Sequence, residues 1–314
     1  MIKLAKVIFN YLKQSFYVFN VLSSKKYEYE RNRATIIRLT HAIEKGMCIR
    51  SPRLGYGIQK IEKIIELIEK NQKKNLDFYF DEAAQMFVGA LSDYISFNER
   101  NNYQADFTKY RKWIEKVSAA SLDDKIGGTQ ICKEQTIDLQ TARSLFFSRH
   151  SRRVFNNQEV DKDLLCDAIR LSMTCPSACN RQSTRLYVVN HKVANPLDNW
   201  LEGTGGFSSE IKEFILICAK LSDYTIDEYQ QYEVSTGIFA GYLTLALNAY
   251  GIGNCVIQRS VFNSKQWNEI KKKMNIPNDE QIICILGCGM PDYSFPVPVS
   301  HRLDINGVCR FINE

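Results

Sequence analysis

The chain has 314 residues, 45% of them hydrophobic and 24% charged, with a net charge of +6. That length allows two domains, or one large domain with an appendage, and the balance excludes disordered and low-complexity classes. The excess charge lies wholly ahead of residue 140, where 23 Lys and Arg meet 17 Asp and Glu, against 18 and 18 beyond it. That is a local basic element, and with no nucleic-acid motif beside it no nucleic-acid partner is expected.

The first 27 residues hold Lys3, Lys6, Lys13, Lys25 and Lys26, with no acid before Glu28. In "MIKLAKVIFNYLKQSFYVFN" the polar Lys3, Lys6, Asn10, Lys13 and Asn20 share one side at helical spacing, and Leu4, Val7, Ile8, Leu12, Phe16 and Phe19 lie elsewhere. An amphipathic helix follows from this. Docking on its own domain is the first reading, and peripheral contact of residues 1–26 with an anionic membrane is the second. No uncharged apolar run reaches the roughly 18 residues of a membrane span. Lys13 interrupts the apolar run and no small-residue cleavage site follows, so no signal peptide is expected and the location expected is cytoplasmic.

Apolar spacing predicts further helices over 29–46, 57–74, 80–98 and 105–120, as in Ile58, Ile61, Ile64, Ile65 and Ile68. In "HAIEKGM", His41 and Glu44 stand three apart, half of a metal site, but no second pair accompanies them; Gly46 reads as the helix stop, with Lys45 complementing the helix dipole. Periodicity lapses over 121–136, which marks a linker. The expected division is an all-α extension over 1–125 and a second domain over 126–314.

Beyond the linker, helices are predicted near 138–149, 162–173, 228–250 and 264–273. They mix with strands at "RLYVVN", "EFILICAK", "CVIQ" and "QIICILGCG", an α+β order. Several of the ten cysteines fall inside apolar runs, where a thiol behaves as a small core residue, so a reducing compartment is expected. Cys175/Cys179 and Cys284/Cys288 are spaced CxxxC, not the CxxC of common zinc and redox sites, and no metal is expected. "GIGNCV" lacks the third glycine of a dinucleotide fingerprint and lies between a helix and a strand in the wrong order; Gly251 reads as a helix end. Ser151 beside His150 lacks the GxSxG elbow of a hydrolase.

Three arginines and a histidine crowd "FFSRHSRRVF" (146–155), a density that suits an anion such as phosphate. "RHSRRVF" (149–155), "CPSACNRQ" (175–182), "GIGNCVIQ" (251–258) and "SHRLDI" (300–305) together resemble the nitroreductase family of FMN-dependent oxidoreductases over about residues 138–310. The resemblance implies an α+β sandwich, an interlocked homodimer with FMN at its interface, NADH or NADPH as electron donor and a small-molecule acceptor. It implies that Arg149, His150 and Ser151 hold the FMN phosphate and ribityl chain, that Arg302 is a second phosphate ligand, and that Arg153 faces the flavin N1/O2 edge. Pro176, Ser177, Asn180 and Gln182 would reach the flavin from the partner chain. Gln258 and Arg259 would offer backbone N–H groups to N5 and O4. No side chain matches a catalytic acid, and flavin N5 is the reactive centre.

The chain departs from the family pattern at Ser183, Thr184 and Arg185, where Pro-Trp is common, at Val256 and Gln258, common as proline and glutamate, and at Ser300, often basic. These changes bear on substrate more than on flavin. Two alternatives stand beside the reductase: a dehydrogenase or dehalogenase of one metabolite, and a non-enzymatic scaffold that has lost its flavin.

Overall fold

The computed structural model describes residues 2–118, 126–133, 136–194, 201, 204–228, 230–258 and 264–312. The first half is helical: α1 Ile2–Ser23, α2 Glu28–Met47, α3 Ile58–Lys74, α4 Glu82–Arg100 and α5 Thr108–Ser118. Apolar residues at helical spacing turn one face of α2, α3 and α4 inward. Ile36 and Ile43 of α2, Ile61, Ile64 and Ile68 of α3, and Phe87, Leu91 and Tyr94 of α4 form one fully buried core. Each such side chain contributes about 1.5–3 kcal/mol through removal from water. A buried amide pair, Asn32 Nδ2 to Asn71 Oδ1 at 3.0 Å, fixes α2 against α3. Asp81 caps α4 by accepting from the Ala83 N–H and also pairs with Arg33 at 2.9 Å.

Helix α2 runs through Gly46 to Met47, so Gly46 is not the stop that its type suggests. Its missing side chain has another cause: a Cβ there would run into the Tyr56 ring. His41 pairs with Glu44 at 3.2 Å, and Glu44 accepts from the Gly128 N–H at 2.9 Å. The Thr129 N–H donates to Asp93 at 2.6 Å, the Gly127 carbonyl leaves no room for a Cβ on Gly89, and the Met86 carbonyl leaves none for a Cβ on Gly127. Residues 126–129 are thus clasped to α2 and α4.

Helix α1 docks on the rest of the chain along a mixed polar and apolar face. Asn10 is buried, the Tyr17 hydroxyl donates to the Asn278 carbonyl, and the Arg31 guanidinium donates to the Val21 and Leu22 carbonyls at the helix end. Val21 joins Leu221, Tyr224 and Tyr232 in a small apolar cluster. Ile8, Phe9, Leu12, Phe16 and Phe19 face outward, each between 50% and 67% exposed.

The second half holds α6 Leu139–Ser148, α7 Lys162–Ser172, β1 Thr184–Asn190, the single turn α8 His191–Ala194, β2 Glu213–Lys220, α9 Gln231–Ala249, β3 Gly253–Gln258, α10 Ser264–Lys273 and β4 Glu280–Gly289. The strands form one antiparallel sheet in the order β1-β2-β4-β3. Along β2, Phe214, Leu216 and Cys218 pack on one face with Trp267 and Ile270 of α10, while Ile215 and Ile217 pack on the other with Leu165 of α7 and Leu243 and Leu247 of α9. Burial on both faces explains why β2 and β4 read as unbroken apolar runs. The α+β class expected from the sequence is the class observed. Helix α9 ends at Gly251, φ +72°, with Ile252 N–H bonded to the Leu247 carbonyl and Gly251 N–H to the Asn248 carbonyl, a Schellman closure.

Candidate active site

After α6 the chain leaves helical geometry at Arg149 (ψ 114°) and lies along the free side of β3. Ser151 forms a parallel bridge with Asn254, and the Arg152 N–H donates to the Asn254 carbonyl at 2.9 Å. Phe155 bridges Pro291, and its side chain fills a slot that exists because Gly253 and Gly289 have no Cβ: one built on either would lie 3.2 or 2.8 Å from the ring. Seating Phe155 sets the register of the whole stretch. In extended backbone, successive side chains alternate. Arg152 stacks on Tyr293 at 4.8 Å, while Arg153 lies over Phe207 at 5.6 Å.

The Cys255 thiol reports the field on this side. Burial pushes its pKa up, and the charge of Arg153, a hydrogen bond with Ser151 and the charge of Arg149 push it back. Three residues singled out by sequence therefore converge on one strand, with His150 half-buried among them. The charges of Arg149 and Arg153 both act at this thiol, and positive charge so placed favours an anion. Two guanidinium groups and a hydroxyl fit the phosphate and the electron-rich ring edge of FMN.

The chain returns over this stretch after β4. Asn156 N–H donates to the Met290 carbonyl and Asp292 N–H to the Val154 carbonyl, and a small cavity of about 130 Å³ separates Ser151 and Arg153 from Asp292 and Pro298. Arg302 follows Pro298 by four residues; it is exposed and its guanidinium donates to the Ser300 carbonyl at 2.5 Å. Among the described residues no contact joins it to Arg149 or Arg153 within the chain. Gln258 ends β3, its side chain outside the described residues, and Arg259 lies outside them altogether.

The second set sits on the loop Pro176–Gln182 between α7 and β1. Cys179, Asn180 and Gln182 adopt φ of 51°, 54° and 51°, left-handed backbone that costs about 1–3 kcal/mol at each non-glycine residue. Tertiary contacts hold it: Ala178 N–H donates to Ser235 Oγ of α9 at 3.1 Å, and Gln182 N–H to Ser177 Oγ at 3.0 Å. Arg181, buried, pairs with Glu228 and stacks on Tyr224 at 4.8 Å. Gln182 is exposed, as is Pro176, while Ser177 and Asn180 are half-buried. Beside the loop opens a cavity of about 480 Å³ lined by Ser177, Gln182, Met173 and Phe239, with Arg33 and Glu82 from the helical half. Sequence reasoning missed Arg33 and Glu82, which lie some hundred positions upstream with no local signal of a cavity.

The two sets do not meet within one chain. Asn254, beside Ser151, is in register with Cys288, Glu213 and then Asn190, the far end of β1, whereas the loop enters at Thr184. They are four strand spacings apart, about 19 Å, and six residues apart along the strand, about 20 Å. The sets occupy diagonally opposite corners of the sheet.

Residues 147–204 match the model of the Nitroreductase family. No curated protein matches the chain. Similar solved structures include a nitroreductase family protein from Streptococcus pneumoniae, 19% identical with a TM-score of 0.46, in which 55% of this chain aligns with all of that one. An FMN-dependent nitroreductase from Clostridium difficile is 21% identical, with a TM-score of 0.46 over 55% of this chain and 99% of that one. A nitroreductase family protein from Clostridium novyi is 22% identical, with a TM-score of 0.43 over 48% of this chain and 86% of that one.

Proposed function

We propose that this chain, which carries a nitroreductase-family segment at residues 147–204, is an FMN-dependent oxidoreductase acting as a homodimer, with residues 1–125 as its helical extension. The carrying observation is the diagonal separation of the arginine stretch from the Pro176–Gln182 loop across one sheet. A two-fold partner brings one chain's arginines to the other's loop, so that each dimer has two composite sites.

Exposed apolar surface supports the partner. Phe146 and Phe147 of α6 are 63% and 69% exposed. Val234, Ile238 and Tyr242 of α9 surround Gly237 and Gly241, which face open space. Beyond Pro298, Val299, Leu303, Ile305, Val308, Phe311 and Ile312 are each at least 66% exposed. So much exposed apolar surface is unusual on a lone soluble chain.

In this reading Arg149, His150, Ser151 and Arg302 hold the phosphate and ribityl chain, and Arg153 holds positive charge at the N1/O2 edge. The partner's copy of the Pro176–Gln182 loop closes the ring in with Pro176, Ser177, Asn180 and Gln182. Backbone N–H groups of Gln258 and Arg259 would serve flavin N5 and O4. Bound FMN would supply the hydride chemistry between NADH or NADPH and a small-molecule acceptor. The free thiols, four of them buried, suit a reducing, cytoplasmic setting.

Mixed dimers test this. An Arg149→Ala/Arg302→Ala chain and an Asn180→Ala/Gln182→Ala chain should each purify colourless. Co-expressed under two tags, they should give mixed dimers that hold one flavin for every two chains, because one site of the pair is then wholly native. Mixed dimers without flavin, or a monomer with stoichiometric FMN, would overturn the reading.

A further inference from the structure

Helix α1 leaves five of its large apolar side chains, Ile8, Phe9, Leu12, Phe16 and Phe19, facing outward. A helix on a water-soluble surface turns its apolar stripe to the core and its polar face to water. Here the inward face is mixed: Asn10 and Val21 are buried, and the Tyr17 hydroxyl bonds the Asn278 carbonyl. Ile8, Leu12, Phe16 and Phe19, at spacings of four, four and three, form the outward stripe, with Phe9 at its border. These contacts fix the helix with that stripe outermost.

Charge surrounds the stripe. Lys13, Lys25 and Lys26 are exposed, and the sequence adds Lys3 and Lys6, with no acid before Glu28. Between α1 and the end of α10 lies a basin of about 660 Å³ lined by Lys13, Lys26, Lys271 and Lys272, with no carboxylate in its lining. Lys271 is tied down by the Tyr17 hydroxyl at 3.0 Å and the Asn278 carbonyl at 3.3 Å. Lys13 lies over the Phe9 ring and Lys26 over the Tyr27 ring. Phe16 belongs to both features, since it lines the basin and is 67% exposed on the stripe.

We infer that α1 is an interfacial helix that seats the protein on an anionic phospholipid bilayer, its stripe entering the acyl boundary and the lysine basin taking lipid phosphates. Amphipathic helices with basic flanks and aromatic faces lie in the interface in this way. No helix among the described residues is long and apolar enough to cross a membrane, so α1 lies on the bilayer. Charge disfavours a second copy as the occupant: pairing through this face would set Lys13 against Lys13, and the first 27 residues hold no acid to compensate.

Co-sedimentation of the full-length protein with vesicles tests the inference. The protein should pellet with phosphatidylcholine vesicles that contain phosphatidylglycerol, stay in solution with phosphatidylcholine alone, and be released by raised salt. Lys13→Gln/Lys26→Gln/Lys272→Gln should weaken binding by about fivefold per lysine, the equivalent of about 1 kcal/mol each. Leu12→Ser/Phe16→Ser, which touches only exposed side chains, should weaken it at least about tenfold with melting unchanged. Wild-type protein that ignores both vesicles, or binds both equally, overturns the inference. So does an apolar variant that binds as well as wild type, or one whose only change is a smaller mass in sedimentation, which would assign the stripe to a second copy.

Discussion

Arg152 stacks on Tyr293, whereas Arg153, one residue on, lies over Phe207 and acts on the Cys255 thiol. This division of labour gives neighbouring arginines different consequences. A fixed cation at the edge where charge gathers on reduction stabilises the reduced flavin more than the oxidised one. In redox titrations at saturating FMN, Arg153→Ala should therefore lower the midpoint potential and Arg152→Ala should leave it unchanged; an equal drop in both would remove the role assigned to Arg153. Arg149→Ala and Arg302→Ala should instead weaken FMN binding, by about 1.5–3 kcal/mol for a lost charged hydrogen bond. Asp223 carries the second residue-scale expectation. Its side chain is 7% exposed, and burial raises its carboxyl from 3.8 to about 6 despite Lys220, Arg185 and Arg33. The folded state thus holds a proton that the unfolded chain releases, so stability falls as pH rises from about 4 to about 6 and stays lower above. Asp223→Asn should flatten that window in pH-dependent melting and raise stability at neutral pH by up to roughly 3 kcal/mol; an unaltered slope would contradict the assignment. The chemistry of the arginine stretch was legible because one short segment carries it, whereas the buried setting of Asp223 depends on residues scattered from 33 to 279.

At the scale of elements, strands were read most closely: "QIICILGCG" and "EFILICAK" correspond to β4 Glu280–Gly289 and β2 Glu213–Lys220 because double burial leaves a long apolar signature. Helix ends were read less evenly. Gly251 and Gly46 are the same residue type, yet the first closes a helix in left-handed geometry and the second sits inside one to admit Tyr56, a partner ten positions on that no local pattern reveals. Similarly, periodicity shows which side chains of α1 share a face but not which face turns inward. Gly251 allows a clean measurement, because a Cβ there would meet nothing within 4 Å and only backbone strain is left. Gly251→Ala should cost about 1–2 kcal/mol in urea unfolding. Gly251→Asn should cost visibly less, since Asn tolerates left-handed backbone better than alanine does. Equal losses would mean that the strain argument is wrong.

At the scale of the molecule, the strand order β1-β2-β4-β3 sets the arginine stretch and the Pro176–Gln182 loop at opposite corners of one sheet. That arrangement is invisible in the linear sequence, where "RHSRRVF" and "CPSACNRQ" stand only some twenty positions apart. Composition and periodicity alone could not reveal it, since they fix elements and not the path between them. The cysteines of the sheet have a further consequence. Cys218, Cys284 and Cys288 lie in the two central strands at 8% exposure or less, and burial pushes each thiol's pKa up, Cys284 to about 11, while Cys48 and Cys132 stand in solvent. A thiol that is both shielded and held protonated reacts only when its strand opens. The chain therefore carries its own clock for cooperative opening of the sheet: electrophile labelling at Cys218, Cys284 and Cys288 times that event, against Cys48 and Cys132 as markers that react without it.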